Sequence, residues 1–254
     1  KMAYASRHSY ELLHFEEPFL TQAHPWMNKL IAIQRNLAAF DWLFWVDCDL
    51  FFMNPEHTVD SLVLTALNKH SDASLIVAED GMMLNSGAFL LRNSPWGNTF
   101  LAQTVDLLSA PMPHSFQHMP WHEQAPLVYL SLNPGVLVGL GGPGGVLPPS
   151  TALPSGYDPR VVLLPQRAMN SYPPEVVQKT GHVLPHESYE DGDFVVSFNG
   201  CGSVLGGEYC EAMYERYHAE SMERFAELDS NPHLDPHSQP HGTGGGRGGG
   251  GGSG

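Results

Sequence analysis

The chain has 254 residues, 42% of them hydrophobic, which is enough for one large α/β domain with a sizeable core. Its 12 Lys and Arg against 27 Asp and Glu give a formal net charge of −15, which argues against a nucleic-acid backbone or an anionic membrane surface as partner. A phosphate-bearing substrate would have to be met by a metal or by local dipoles.

In chain order, Tyr4 to Leu20 reads as a short helix followed by a strand, Glu11 to Phe15. Pro25 then opens a helix over Trp26 to Phe40. Met27, Leu30, Ile31, Ile33, Leu37 and Phe40 give it an apolar stripe, with Lys29, Gln34, Arg35 and Asn36 largely off it. An amphipathic helix packed on a sheet accounts for this pattern, and Lys29 is at most a subsidiary ligand candidate. The next run, Trp42-Leu43-Phe44-Trp45-Val46, reads as a strand buried on both faces.

That run stops at Asp47-Cys48-Asp49. Two carboxylates beside buried residues are costly unless something neutralises them. In extended chain, residues i and i+2 point to one side, so Asp47 and Asp49 can converge at the carboxyl end of a central strand, where ligands of open α/β sheets sit. Their hard oxygens suit Mg²⁺ or Mn²⁺ completed by water and phosphate. The alternative is a plain strand end with Asp49 capping a turn.

Beyond Asn54-Pro55, Thr58 to Leu67 reads as a helix and Ser74 to Ala78 as a buried strand. Leu84 to Arg92 is strand-like with Gly87 inside it, and glycine in a strand marks close approach of a ligand or backbone. A helix follows from Ser94-Pro95. Trp121 to Ser131 reads as another, with Glu123 and Gln124 in its first turn. There they face ligand or solvent, or complement the helix dipole. Positions 133–160 form a long loop rich in Gly and Pro, and Val161 to Leu164 resumes the strand pattern. Asp193 to Phe198 is the last strand and Glu208 to Leu228 the last helix. The His/Pro and then Gly-rich tail, 229–254, cannot bury a core and is expected to be disordered.

The three cysteines, Cys48, Cys201 and Cys210, form no C-x-x-C, and no helical H-x-x-x-H pair stands out among the 14 histidines. A Cys201–Cys210 bridge is open to the chain in an oxidising compartment. No apolar run is long enough to span a bilayer, and no signal peptide is recognisable. The start at Lys1 reads as that of a fragment.

Several motifs, in this order, resemble glycosyltransferase family 34. They are Y-A-S-R-H-S-Y (4–10), W-V-D-C-D-L-F-F-M-N-P (45–55), L-N-S-G-A-F-L-L-R-N-S-P-W (84–96), W-H-E-Q-A-P-L-V (121–128), L-P-Q-R-A-M-N-S-Y-P (164–173) and G-D-F-V-V-S-F-N-G-C (192–201). The resemblance implies an α/β GT-A fold with a mostly parallel central sheet over 1–228. The family's first strand lies upstream of Lys1. It also implies a nucleotide-sugar donor (UDP-xylose, UDP-galactose or GDP-mannose), an oligo- or polysaccharide acceptor and retention of anomeric configuration. Mn²⁺, with Mg²⁺ possible, would be the metal. A Golgi-lumenal, type II membrane context and assembly with like or other transferases follow as well. By position, Asp47, Asp49 and Ser197 fall at the metal, and Asn85, Ser86, Gly87, Gly200 and Cys201 at the donor and acceptor. Glu123 and Gln124 fall at the catalytic face. Two positions depart from the family: Ser197 stands where the metal-ligating His belongs, and Gly202 where plant members carry a diphosphate-binding Lys. Those departures motivate the alternative of a weak or inactive homologue serving as a scaffold subunit.

Overall fold

The computed structural model describes residues 1–19, 25–80, 83–108, 122–133, 157–180 and 188–230. In chain order these form α1 (Met2–Arg7), α2 (Pro25–Asn36), β1 (Trp42–Val46), β2 (Leu50–Phe52), α3 (Val59–Lys69), β3 (Leu75–Asp80) and β4 (Met83–Arg92). There follow α4 (Pro95–Leu107), α5 (Gln124–Leu132), β5 (Val161–Leu164), α6 (Pro174–Thr180), β6 (Val195–Ser197), α7 (Cys201–Leu205) and α8 (Gly207–Ser230). Local chemistry sets several boundaries. Thr58 caps α3 by accepting from the Ser61 N–H, and Ser94 caps α4 by accepting from the Gly97 N–H with Pro95 in the first turn.

The main sheet has strand order β1-β4-β3-β5. β4 is antiparallel to both β1 and β3, and β5 is parallel to β3, so β1, β3 and β5 run one way and β4 the other. The predicted mostly parallel α/β sheet is therefore present, with one reversed strand inside it. Period-two alternation divides its side chains between two cores. Leu75, Val77, Phe89 and Leu91 pack with α2, α4 and α5, while Ile76, Ala78, Ala88 and Leu90 face Tyr4, Leu62 and Phe225. Each large side chain so buried contributes roughly 1.5–3 kcal/mol. A second, two-stranded sheet of β2 and β6 lies under α8, where Phe51, Val196, Met213 and Tyr217 form a third cluster.

Three expectations need correction. β1 is half-buried along its whole length, not buried on both faces. It is an outer strand of the sheet, and its aromatic side chains border an open cleft. The strand expected over Glu11 to Phe15 is irregular chain, with Leu12 and Phe15 exposed, because no neighbouring strand pairs with it among the described residues. Lys29 does not lie off the α2 stripe: it is buried beside Leu30, four residues before Ile33 on the same helical face. Most of the 133–160 loop and the tail from residue 231 fall outside the described residues, and α8 continues to Ser230.

Candidate active site

β1 delivers Asp47. The Asp47 N–H donates to the Gly87 carbonyl at 2.8 Å, carrying the β1–β4 ladder one step past the strand end. Two residues back on the same side, the Trp45 indole N–H donates to Asp47 Oδ1 at 2.6 Å. The chain then turns through Cys48 and Asp49 into β2, where the Asp49 carbonyl accepts from the Phe198 N–H at 2.9 Å. That bond ties the residue after β6 to the turn that carries the Asp pair.

Lys29 joins these elements. Its ammonium lies 3.0 Å from Asp47 Oδ1 and 2.8 Å from Glu123 Oε1, and it donates to the Ser86 carbonyl at 2.9 Å. Three acceptors match its three protons. Burial alone would lower its pKa, but the Asp47 and Glu123 charges outweigh that and hold it above the ordinary lysine value. Ser86 completes the cluster. Its hydroxyl donates to Glu123 Oε1 at 3.1 Å and its backbone N–H to Gln124 Oε1 at 3.0 Å. Glu123 and Gln124 open α5 after His122, which takes a left-handed φ of 44°. A non-glycine residue held there is strained, and such strain gathers at functional sites.

Asp47, Ser86, Gly87, Glu123 and Gln124 thus meet at one end of the sheet. Asn85 joins them through its side-chain bond to the Gly87 N–H at 2.8 Å. A Cβ at Gly87 would run into the Asn199 amide and Asn85 Oδ1, so the glycine serves a close protein contact. Gly200, at a left-handed φ of 71°, turns the chain into α7. The Cys201 side chain is bridged to Cys210, with the Cα atoms 5.7 Å apart, and packs in the third cluster. Ser197 pairs with Leu50 and has no exposed surface, and among the described residues its hydroxyl has no hydrogen-bond partner. A cleft of about 1750 Å³ opens against β1, and Lys29, Trp45, Asp47, Glu123 and Tyr214 are among its walls.

The family model for the galactosyl transferase GMA12/MNN10 family matches residues 1–71 and, overlapping, 64–206. The chain belongs to this family. It is 24% identical over 237 residues to an uncharacterized alpha-1,2-galactosyltransferase of Schizosaccharomyces pombe, covering 79% of this chain and 61% of the relative. It is also 24% identical over 262 residues to the probable alpha-1,6-mannosyltransferase MNN10 of Saccharomyces cerevisiae, covering 89% of this chain and 61% of that one. The chain therefore spans about three fifths of the length of these relatives. Among solved structures, a glycosyltransferase involved in the glycosylation of the major capsid of PBCV-1 shares the fold, with a TM-score of 0.53 and 16% identity over 83% of this chain and 88% of that one.

The donor set of this GMA12/MNN10-family site can be tested against a divalent ion. Among the described residues no group of three His, Cys, Asp or Glu side chains converges as a ligand set. Asp47 Oδ2 already accepts from Lys29, and Oδ1, 3.0 Å from the same ammonium, accepts from Trp45. The Asp49 carboxyl is different. Burial first, then the Asp47 charge, holds its pKa above the usual carboxylate value, and the Lys1 and Lys29 charges offset this only in part. Two carboxylates are too few to hold a small hard cation by themselves, so Asp49 and Asp47 would serve as its protein ligands only where diphosphate and water oxygens filled the remaining positions. Sequence reasoning missed Lys29 as the hub, along with Trp45 on Asp47 and Asn199 against Gly87. The helical position of Lys29, four residues before Ile33, was the available signal.

Proposed function

We propose that the domain transfers a hexosyl or xylosyl group from a nucleotide-sugar to a glycan acceptor, with retention at the anomeric carbon. One observation carries the reading: Lys29 gathers Asp47, Glu123 and Ser86 at the carboxyl end of β1, in a chain of this family.

The bond between the anomeric carbon and the diphosphate oxygen breaks, its electron pair leaving with the diphosphate; the acceptor hydroxyl oxygen bonds to the same carbon and its proton passes to the departing diphosphate. Positive charge then develops on the sugar ring. Lys29 contributes one positive charge against the two negative charges of Asp47 and Glu123, leaving the cluster net negative where that charge appears. Glu123 Oε1 is held by Lys29 and Ser86, which fixes the carboxylate for electrostatic stabilisation. Gln124, fixed through Ser86, flanks the same face. Asp49, with Asp47, would hold Mn²⁺ or Mg²⁺, and Ser197 stands near that end as the family's third ligand position. When bound, the ion would offset charge on the departing diphosphate.

The Cys201–Cys210 disulfide supports an oxidising compartment, in keeping with a Golgi-lumenal domain of a type II membrane protein. Among the described residues no helix is long and apolar enough to cross a membrane. Assembly with other transferases belongs to the same reading. A second reading, a weak or inactive scaffold homologue, is favoured by Ser197 and Gly202 at the family's His and Lys positions, the Ser197 hydroxyl being buried and without a hydrogen-bond partner among the described residues.

A donor screen of the full-length protein with Mn²⁺, using UDP-xylose, UDP-galactose and GDP-mannose with oligosaccharide acceptors, tests the proposal. Turnover of one donor, lost with Asp49→Asn, is the expected result. No turnover, together with nucleotide binding indifferent to Mn²⁺, would favour the scaffold.

A further inference from the structure

The Asn85 side chain sits where β4 leaves its ladder. Val77 of β3 pairs with Phe89, but the next residue, Ala78, pairs with Asn85, so residues 86–88 bulge out of the β3 pairing. The bulge turns toward the site: Ala88 pairs with Val46, the Gly87 carbonyl accepts from Asp47, and the Ser86 N–H reaches Gln124. The placement of Ser86, and with it Lys29, Glu123 and Gln124, depends on this shape.

Asn85 Oδ1 accepts from the Gly87 N–H at 2.8 Å, an Asx turn inside the bulge, and from Asn199 Nδ2 at 3.1 Å. Its Nδ2 donates to the Tyr172 hydroxyl at 2.7 Å and to Asp80 Oδ2 at 3.1 Å. An amide side chain has two acceptor and two donor positions, and protein groups fill all four. The orientation is fixed, because a backbone N–H can only donate and an ionised carboxylate can only accept. Asn85 is 3% exposed. A sugar hydroxyl could bond to it only by displacing one of these partners.

We infer that Tyr172 is a positioning residue for the transfer site, and that Asn85 is the strut it holds, not a contact to the donor sugar. Tyr172 is 87 residues from Asn85 in sequence and 9% exposed, and its own carbonyl is tied to the Tyr189 N–H at 2.7 Å. It thereby anchors the bulge to the C-terminal part of the fold. The inference rests on the transferase reading for its catalytic consequence and on the hydrogen bonds alone for its structural one.

The test compares full-length wild type, Tyr172→Phe, Asn85→Ala and the double variant, using whichever of UDP-xylose, UDP-galactose or GDP-mannose the wild type turns over. Tyr172→Phe keeps the ring and deletes the acceptor oxygen. The expected kcat falls roughly ten- to hundredfold, the scale of a small misplacement of reacting groups. Donor KM and nucleoside-diphosphate affinity, from calorimetry, stay within about twofold. The double variant is no worse than Asn85→Ala alone, because the two act as one unit. Amide exchange at Gly87 speeds up in Tyr172→Phe. Asn199→Ala, which removes a different bond to Asn85, shifts kcat and exchange in the same direction and stands in if Tyr172→Phe does not fold. Wild-type kcat in Tyr172→Phe, with Asn85→Ala raising donor KM, would overturn the inference and make Asn85 a sugar contact. If the wild type turns over no donor, the transferase reading falls, and the exchange measurement still decides: unchanged Gly87 exchange in Tyr172→Phe overturns the strut.

Discussion

The Lys29 ammonium sits 3.0 Å from a carboxylate oxygen of Asp47, eighteen residues along the chain, and almost out of solvent. The pair links α2 to the end of β1, and Glu123 ties α5 into the same charge cluster. Replacing Lys29 by Met would leave two carboxylates without their counter-charge. Removing one partner of a buried pair costs about 3–5 kcal/mol, and the partial exposure of Asp47 places Lys29→Met toward the lower figure. Urea unfolding of the two proteins measures it. Because the native pKa of Lys29 is raised, its stabilisation is complete at neutral pH. That stabilisation is lost only as pH climbs past the ordinary lysine value of 10.5 and through the native one. The difference between wild type and Lys29→Met is therefore expected to hold from pH 7 to mildly alkaline pH, then shrink.

Asp49 gives the opposite sign. Its native carboxyl holds a proton to higher pH than in the unfolded chain, where 3.8 is usual. Folded stability due to this group falls as pH rises from that value through the native pKa, and at pH 7 the cost is fully present. Asp49→Asn is expected to raise the melting temperature at pH 7 and to leave it nearly unchanged near pH 3. The same substitution should weaken Mn²⁺-dependent nucleoside-diphosphate binding at least about tenfold, the scale of a lost metal-positioning group. Thermal scans across pH and calorimetry with and without Mn²⁺ check both. A variant that is less stable at neutral pH would show that Asp49 carries a structural bond instead.

The parts legible in the sequence were those with local periodicity. The apolar runs of β1, β3, β4 and β5 and the Ser94-Pro95 start of α4 fall where expected. What depended on tertiary partners was not legible. An aromatic run such as Trp42 to Val46 looks the same in an outer strand as in a central one, and only the order β1-β4-β3-β5 makes it half-buried. β6 falls within the strand read over Asp193 to Phe198, but β2 and its pairing with β6 escaped, because β2 has three residues and the pairing closes over a long separation. Lys29 was read by residue type, although its helical position put it among buried neighbours. The polar partners of Asn85 come from three separate stretches, so no local pattern announces them.

The cysteines separate by environment. Cys48 is a free, exposed thiol between the two aspartates, and Cys201 and Cys210 are bridged. A maleimide should label one thiol per native chain and all three of the sequence after reduction and unfolding. Mn²⁺ with a nucleoside diphosphate should slow the native labelling of Cys48, because its neighbours would then be engaged. Reducing the bridge opens a loop with a sequence separation of 9, worth about 2–3 kcal/mol of stability on the chain-entropy account. Mass spectrometry counts the labels, and denaturation with and without reductant measures the energy. Two labels on the native chain would contradict the bridge.

Ser197 is the position where an imidazole would be expected to add a ligand. Its hydroxyl has no exposure and, among the described residues, no partner, and it lies opposite Leu50, one residue from the Phe198 N–H that bonds Asp49. Ser197→His inserts a ring where a hydroxymethyl group now fits, and such overpacking costs about 1–3 kcal/mol. The ring also supplies a nitrogen donor that suits Mn²⁺ where serine offers only a neutral hydroxyl. The expected variant is less stable without metal, binds Mn²⁺ more tightly without nucleotide, and regains part of the lost stability as Mn²⁺ is added, since a ligand that prefers the folded state stabilises it by mass action. With nucleoside diphosphate present, wild type and variant should converge, because diphosphate oxygens fill the coordination that serine leaves to water. Calorimetry at matched Mn²⁺ concentrations, with thermal scans on the same samples, reads all three effects. Equal Mn²⁺ affinity in the two proteins, with the stability loss unrelieved by metal, would place residue 197 in the core beside Leu50 and away from the ion.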